Sequence, residues 1–193
     1  MYTPVFGAEP IDNIMLDLET LDTTPTAVVV SIGAVAFNPR SKELGSTLYV
    51  EMTNDLNAQQ KRGCTLSADT VVWWMRQGAQ ARILFAEGDP ATSNKVSTLE
   101  ALELFSKFVT DNGGNKAKIW GNGADFDNII LGNLYKAFDM PLPWSYSRNR
   151  CFRTVKNIGV GPHKFVRHGV HHNALDDAIT QAKHLQEITA CLR

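Results

Sequence analysis

Cysteine is scarce in this chain: Cys64, Cys151 and Cys191 stand far apart and are odd in number. That excludes a disulfide framework and a zinc-ligand pattern, and it points to a reducing, cytoplasmic compartment. No apolar run approaches the ~20 residues of a membrane-crossing helix, so no membrane role is expected. The opening residues MYTPVFGAEP lack the basic and apolar regions of a secretory signal. A net charge of −1 removes bulk electrostatic attraction as a route to nucleic acid. Repeats and low-complexity segments are missing as well. What remains is 193 residues, 44% hydrophobic and 20% charged, which fit a single globular domain, 1–193.

One absence is local. From Met140 to His172 there is no Asp or Glu, while Arg148, Arg150, Arg153, Lys156, Lys164, Arg167 and four histidines fall in the same stretch. Such a run is either a solvated face or a loop that meets an anionic ligand.

The pattern of elements is mixed. Strands are expected at 13–19, 27–37 and 46–52, linked closely enough for an antiparallel meander. Helices follow, one in SADTVVWWMRQ and one at 97–112. The second opens with the capping pair Ser97 and Glu100 and carries Leu99, Leu102, Phe105, Phe108 and Val109 on an apolar face. AKIWG (117–121) reads as a short buried strand and 126–138 as a helix. CFRTVKNI reads as a short helix and GVGPHKFVRHG as a loop. ALDDAITQAKHLQEI is a final helix, with Ala174, Ala178 and Ala182 spaced for close packing. This order implies an α/β fold, a mixed β-sheet flanked by helices on both faces.

Within that frame, NIMLDLETL (13–21) places Asp17 and Glu19 in an apolar strand. Alternation puts both on one face, with Leu16 and Leu18 on the other. Two like charges about 4 Å apart repel by about 4 kcal/mol at an effective dielectric of about 20, so a shared proton or a metal ion is needed to offset them. A second acidic group lies in IWGNGADFDNIIL, where Gly121 and Gly123 end a strand and Asp125 and Asp127 precede a helix, a position the helix dipole favours. A third is HHNALDDA, in which His172 and Asp177 are five apart, as are His171 and Asp176. A histidine beside carboxylates can accept a proton near neutral pH.

Taken together, LDLETLD, GNGADFDN and HHNALDDA resemble the three motifs of the DnaQ-like 3′–5′ exonucleases of the DEDDh type, which have the ribonuclease H-like fold. The resemblance is strongest to the phage and prophage branch related to exodeoxyribonuclease VIII. It runs from about residue 12 to 185, loosely between 53 and 115. It implies that Asp17, Glu19, Asp127 and Asp177 bind two divalent ions, Mg²⁺ or Mn²⁺, and that His172 is the general base. The family's F-D pattern selects Asp127 over Asp125, and its A-L-x-D-A pattern selects Asp177 and therefore His172. Thr20 and Leu21 are expected beneath the terminal nucleotide, and Arg153 is a candidate for phosphate. Of Trp73 and Trp74, about 100° apart on a helix, one belongs in the core. The other stacks on a base, covers the cleft edge or lies in a subunit interface.

The implied function is hydrolysis of single-stranded DNA from its 3′ end with release of nucleoside monophosphates. The alternatives are a 3′–5′ exoribonuclease and a non-catalytic nucleic-acid-binding module of the same fold. A homo-oligomer is compatible with the sequence and not fixed by it.

Overall fold

A computed structural model of the chain describes residues 11–86, 94–158, 161 and 165–192. The apolar, β-branched runs form a five-stranded sheet in the order β3-β2-β1-β4-β5. These are β1 (Asn13–Thr20), β2 (Val29–Phe37), β3 (Leu44–Glu51), β4 (Lys118–Gly121) and β5 (Asn149–Cys151). The first three pair antiparallel, as short links demand. β4 returns parallel to β1 after a helical crossover, and β5 lies parallel to β4. β5 was not expected, and it overlaps the expected helix CFRTVKNI at Cys151 alone. Its three residues, Asn-Arg-Cys, show no alternation to betray it, and only pairing to β4 makes them a strand.

The helices are α1 (Leu56–Lys61), α2 (Ala68–Met75), α3 (Ala79–Arg82), α4 (Thr98–Asp111), α5 (Asp127–Ala137), α6 (Phe152–Asn157) and α7 (Ala174–Cys191). Ile14, Leu16 and Leu18 face α4 and α5, where Leu102, Phe105, Ile130, Leu131 and Tyr135 complete the main core. Met15, Val35 and Phe37 face the other way, toward Phe152 of α6 and Ala178, Ala182 and Leu185 of α7. The mixed sheet with helices on both faces is therefore as expected. Ser97 caps α4 by accepting from the Glu100 N–H at 3.2 Å. Leu99 departs from the expected apolar face: it is 46% exposed, and Ala101 takes its place in the core. The short helices α1 and α3, of six and four residues, carry too little periodicity to be read in advance. Part of the expected loop over 159–169, with the basic residue Lys164, lies outside the described residues.

The contact that positions the functional end of the molecule is made by a residue without a side chain. On β2, Gly33 pairs with Asp17. A Cβ at Gly33 would lie only 2.1 Å from the Ala174 carbonyl carbon and 2.2 Å from the Leu175 nitrogen. The first turn of α7 thus rests directly on sheet backbone, and Ala174, Ala178 and Ala182 are fully buried along the same helix.

Gly33→Ala should push α7 off the sheet. Overpacking of this kind costs roughly 1–3 kcal/mol, which lowers the melting midpoint of a domain this size by about 5 °C. A thermal melt that leaves the midpoint unchanged would show that α7 is free to ride outward.

Candidate active site

The site assembles at the C-terminal end of β1 from three distant segments. Asp17 and Glu19 project from the α7 face of β1, the face they share with Met15, as strand alternation requires. Gln181, one turn beyond Asp177 on α7, donates its Nε2 to Asp17 Oδ1 at 2.7 Å. On the other side of β1 the pairing to β4 runs only from Asn13 to Met15. β4 then ends at Gly121 and the chain turns through Gly123, whose φ of 123° suits glycine. The gap left between the two strands is filled by the start of α5. Asp127, 2% exposed, accepts a hydrogen bond from the Leu18 backbone N–H at 3.2 Å. Gly121 is needed here too, because a Cβ would lie 2.9 Å from Asp127 Oδ2. Asp125 is exposed, so the second motif contributes Asp127 to the cluster.

The third segment is the entry to α7. Asn173 caps the helix by accepting from the Leu175 and Asp176 N–H groups, each at 3.1 Å. The two aspartates that follow diverge. Asp176 turns to the preceding loop, where its Oδ2 accepts from the Val170 N–H at 2.7 Å beside Gly169. Asp177 turns into the cleft and is ion-paired with Arg167. His172 holds a positive φ of 62°, a conformation uncommon outside glycine and a mark of local strain. Its ring lies edge-on to Trp73 at 4.8 Å and Trp74 at 5.9 Å, with His171 at 3.8 Å. One ligand atom each from Glu19, His172 and Asp177 lies within 4.8 Å of the other two. These groups line a cavity of about 480 Å³ with Asp17, Asn122 and Gln181.

Electrostatics within the cluster are strained. Burial lifts Asp17 well above the usual carboxylate range, and Asp127, Glu19 and Asp177 push it further. Burial and the charges of Asp177 and Asp127 raise Glu19 to about 8, against the opposing pull of Arg167. Asp127 rises to about 7 through burial, restrained by backbone N–H donors and by Arg153. Burial also raises Asp177, although Arg167 opposes it. His172 is pushed below its ordinary value by burial, with His171 and Arg167 adding to the effect, so its ring is biased toward the neutral form.

The remaining expected residues are spread more widely. Thr20 and Glu19 line a second cavity of about 510 Å³ together with Thr23, Ser67, Thr70, Trp73 and Phe126. Leu21 is buried against Trp74 in the cluster beneath α2, and it lines a separate groove. Arg153 packs over the Gly123 turn. Trp74 is the core tryptophan, 3% exposed, and donates Nε1 to the Thr20 carbonyl at 2.9 Å; Trp73 is 42% exposed at the cleft edge. Sequence reasoning did not single out Gln181, Asn122 or Gly33, nor a role for Arg167 beyond the basic stretch. Gln181 carried a signal, since four residues after Asp177 it must share that helix face.

An acidic cleft at the end of a mixed sheet in the order β3-β2-β1-β4-β5 defines the ribonuclease H-like class with a DEDDh constellation. Comparison with known proteins makes this specific. The model of the 3′–5′ exoribonuclease Rv2179c-like domain matches residues 12–189, and the chain belongs to that family. A protein of Enterobacteria phage T4 named exodeoxyribonuclease is 24% identical over 131 residues, covering 64% of this chain and 56% of the phage protein. The chain thus spans just over half of that relative. The structure of E. coli exonuclease I with a dT13 oligonucleotide superimposes with a TM-score of 0.62 at 15% identity, over 93% of this chain and 42% of that one. The nuclease domain of 3′hExo, a DEDDh family member bound to rAMP, gives 0.60 at 13% identity, over 93% and 92% of the two chains. These two likenesses bear on the fold.

The raised carboxylates set the direction of a pH effect. In the folded state they hold protons that the unfolded chain, with ordinary values near 4, has released. In chelator, stability should therefore fall as pH rises from about 4 toward the Glu19 value of about 8. Glu19→Gln, which cannot ionise, should lose less stability across that window and be the more stable protein at pH 8. Melting scans of both proteins from pH 5 to 8 test this, and parallel curves would contradict it.

Proposed function

We propose that the chain is a metal-dependent 3′–5′ exonuclease that removes nucleoside monophosphates from single-stranded DNA, with 1–193 forming one exonuclease domain. The observation that carries the reading is the convergence of Asp17, Glu19, Asp127 and Asp177, from three separate segments, beside His172. A second reading, hydrolysis of RNA 3′ ends, is favoured by the description of the family to which the chain belongs. The phage relative's name and the DNA bound to exonuclease I favour the first.

The donor set fits divalent ions. Four carboxylates offer hard oxygen ligands of the kind Mg²⁺ and Mn²⁺ take. In the cleft, the buried Asn122 Oδ1 and Gln181 Oε1 have no protein hydrogen-bond partner, as acceptors facing a cation or its waters would. Asp17, Glu19, Asp127 and Asp177 are the residues that would hold two ions. When bound, such ions stabilise charge on the attacking and leaving oxygens of a phosphodiester.

The chain's own residues do the rest. His172, biased toward its neutral form, accepts the proton of the water that attacks the terminal phosphorus. The bond from phosphorus to the penultimate 3′ oxygen breaks, that oxygen gains a proton, and the nucleoside 5′-monophosphate leaves. Trp73 and Trp74 fix the imidazole by edge contacts. The terminal nucleotide enters the second cavity, where Phe126 and Trp73 offer faces to its base and Thr20, Thr23, Ser67 and Thr70 offer hydroxyls to its sugar. Arg153, packed on the Gly123 turn and acting on Asp127, is a candidate for a phosphate further along the strand. Leu21 supports this pocket from below through its contact with Trp74.

Digestion of end-labelled single-stranded DNA and RNA in Mg²⁺, in Mn²⁺ and in chelator tests the reading. Stepwise shortening from the 3′ end that needs the metal is expected, faster on DNA. Full activity in chelator would sink it, and faster loss of RNA would favour the second reading. His172→Ala should slow cleavage by about 10²–10⁴-fold, the usual size of a lost general base. Asp127→Asn should abolish activity, whereas Asp125→Asn should leave it within about twofold. The reverse order would move the second motif's ligand to Asp125.

A further inference from the structure

Two permanent cations line the catalytic cleft among its described residues, Lys156 and Arg167, and they behave differently. The Lys156 ammonium lies over the Phe152 ring, 5.8 Å from its centre. The Arg167 guanidinium is inside the acidic cluster, bonded through NH2 to Asp177 Oδ1. Asp177 is also one of the three groups, with Glu19 and His172, whose ligand atoms lie together within 4.8 Å. The pull of Arg167 extends to Glu19, where it opposes the rise caused by burial and the neighbouring carboxylates.

The chain around Arg167 is tied to α7: before it the Phe165 ring stacks on His184 of that helix, centroids 5.0 Å apart, and after it two backbone N–H groups donate to the helix. The His168 N–H donates to Thr180 Oγ1 at 3.0 Å, and the Val170 N–H donates to Asp176 Oδ2 at 2.7 Å. The loop therefore holds the Arg167 Cα in place while the side chain, 35% exposed, can turn. A guanidinium on a long stem has two natural partners here. One is a carboxylate, and the other is a phosphate, which its planar fork matches equally well. A divalent ion on Asp177 would repel the guanidinium from that carboxylate and leave it at the mouth of the same cleft.

We propose that Arg167 is an exchangeable internal cation: it occupies Asp177 until a divalent ion displaces it, and the released guanidinium then pairs with a backbone phosphate of the nucleic-acid strand. This rests on the exonuclease reading above. It makes Arg167 a substrate-binding residue whose availability is coupled to metal loading. Among the described basic residues of 140–172, Arg167 is distinguished by its ion pair with a carboxylate of the cluster.

The test separates the two halves. Titration calorimetry with Mn²⁺ on the whole chain, without nucleic acid, should show Arg167→Gln binding the ion about 3–10-fold more tightly than the parent, the scale of a partly exposed ion pair. Lys156→Gln removes the same charge from the same cleft without freeing a carboxylate and should change affinity by less than about twofold. Equal or weaker Mn²⁺ binding by Arg167→Gln overturns the exchange. So does an equal gain in Lys156→Gln, which would reduce the effect to net charge. Binding of a single-stranded oligonucleotide is then measured in Mn²⁺ on a His172→Ala background, in which cleavage is slowed, and read before the strand shortens. Adding Arg167→Gln should weaken it several-fold and reduce the slope of log affinity against log salt by about 0.7. An unchanged affinity and slope overturn the phosphate role. A parent protein that binds no Mn²⁺ removes the exonuclease reading itself, a result distinct from any of these.

Discussion

The N-terminus of α7 rests on a glycine, and the active end of the molecule follows from that contact. Gly33 is the cross-strand partner of Asp17, so the place where the helix touches the sheet is also the place where the first acidic pair projects from it. With no Cβ in the way, the backbone of Ala174 and Leu175 comes down onto β2, and Asp177 is carried to within reach of Glu19. The same helix delivers Gln181 to Asp17. Small residues at 174, 178 and 182 maintain the approach along its length. A larger residue at 33 would widen the cleft where the carboxylates must converge.

Convergence of this kind opposes folding electrostatically. Burial lifts Asp17, Glu19 and Asp127, neighbouring carboxylates add to the rise at Asp17 and Glu19, and the fold restrains rather than removes the conflict. The counterweights are specific: the Leu18 N–H on Asp127, the Gln181 amide on Asp17, and Arg167 on Asp177. Each is a donor or cation placed where a carboxylate would otherwise face only other carboxylates. The left-handed φ of His172 is a further local strain, held by the aromatic contacts of Trp73 and Trp74. Strain gathered at one end of an otherwise ordinary α/β domain is the pattern expected of a site kept for chemistry rather than stability.

Much of this was legible in the sequence because it follows from periodicity. Alternation alone placed Asp17 and Glu19 on one face and Leu16 and Leu18 on the other, and the structure has them so. The capping pair at Ser97 and the alanine spacing of the last helix were equally direct. Other features depend on partners distant in sequence. Spacing could not choose between Asp125 and Asp127, because the choice lies in a gap between β1 and β4 that exists only once the strands diverge. β5 is a strand only through its neighbour, and Leu99 sits where α4 rolls away from the core. Gly33 did leave a mark, since an isolated glycine in an apolar strand signals a close backbone approach. Arg167 left none, because a loop residue's partner cannot be read from period or composition.

The adjacent aspartates of the last motif show how the rigid and adjustable parts of the site are joined. Neighbouring residues on a helix point about 100° apart, and here Asp176 and Asp177 diverge to different partners. Asp177 faces the cluster, while Asp176 holds the Val170 N–H and occupies the space that the missing Cβ of Gly169 leaves open. The loop fixed in this way carries both Arg167 and His172. Three of the acids are thereby set by a strand and a helix start, and the fourth by the first turn of α7. His172 and the nearby Arg167 guanidinium are set by a loop that the same turn anchors. The two aspartates are thus not duplicates: Asp176 ties the loop that carries His172 to the helix that fixes Asp177.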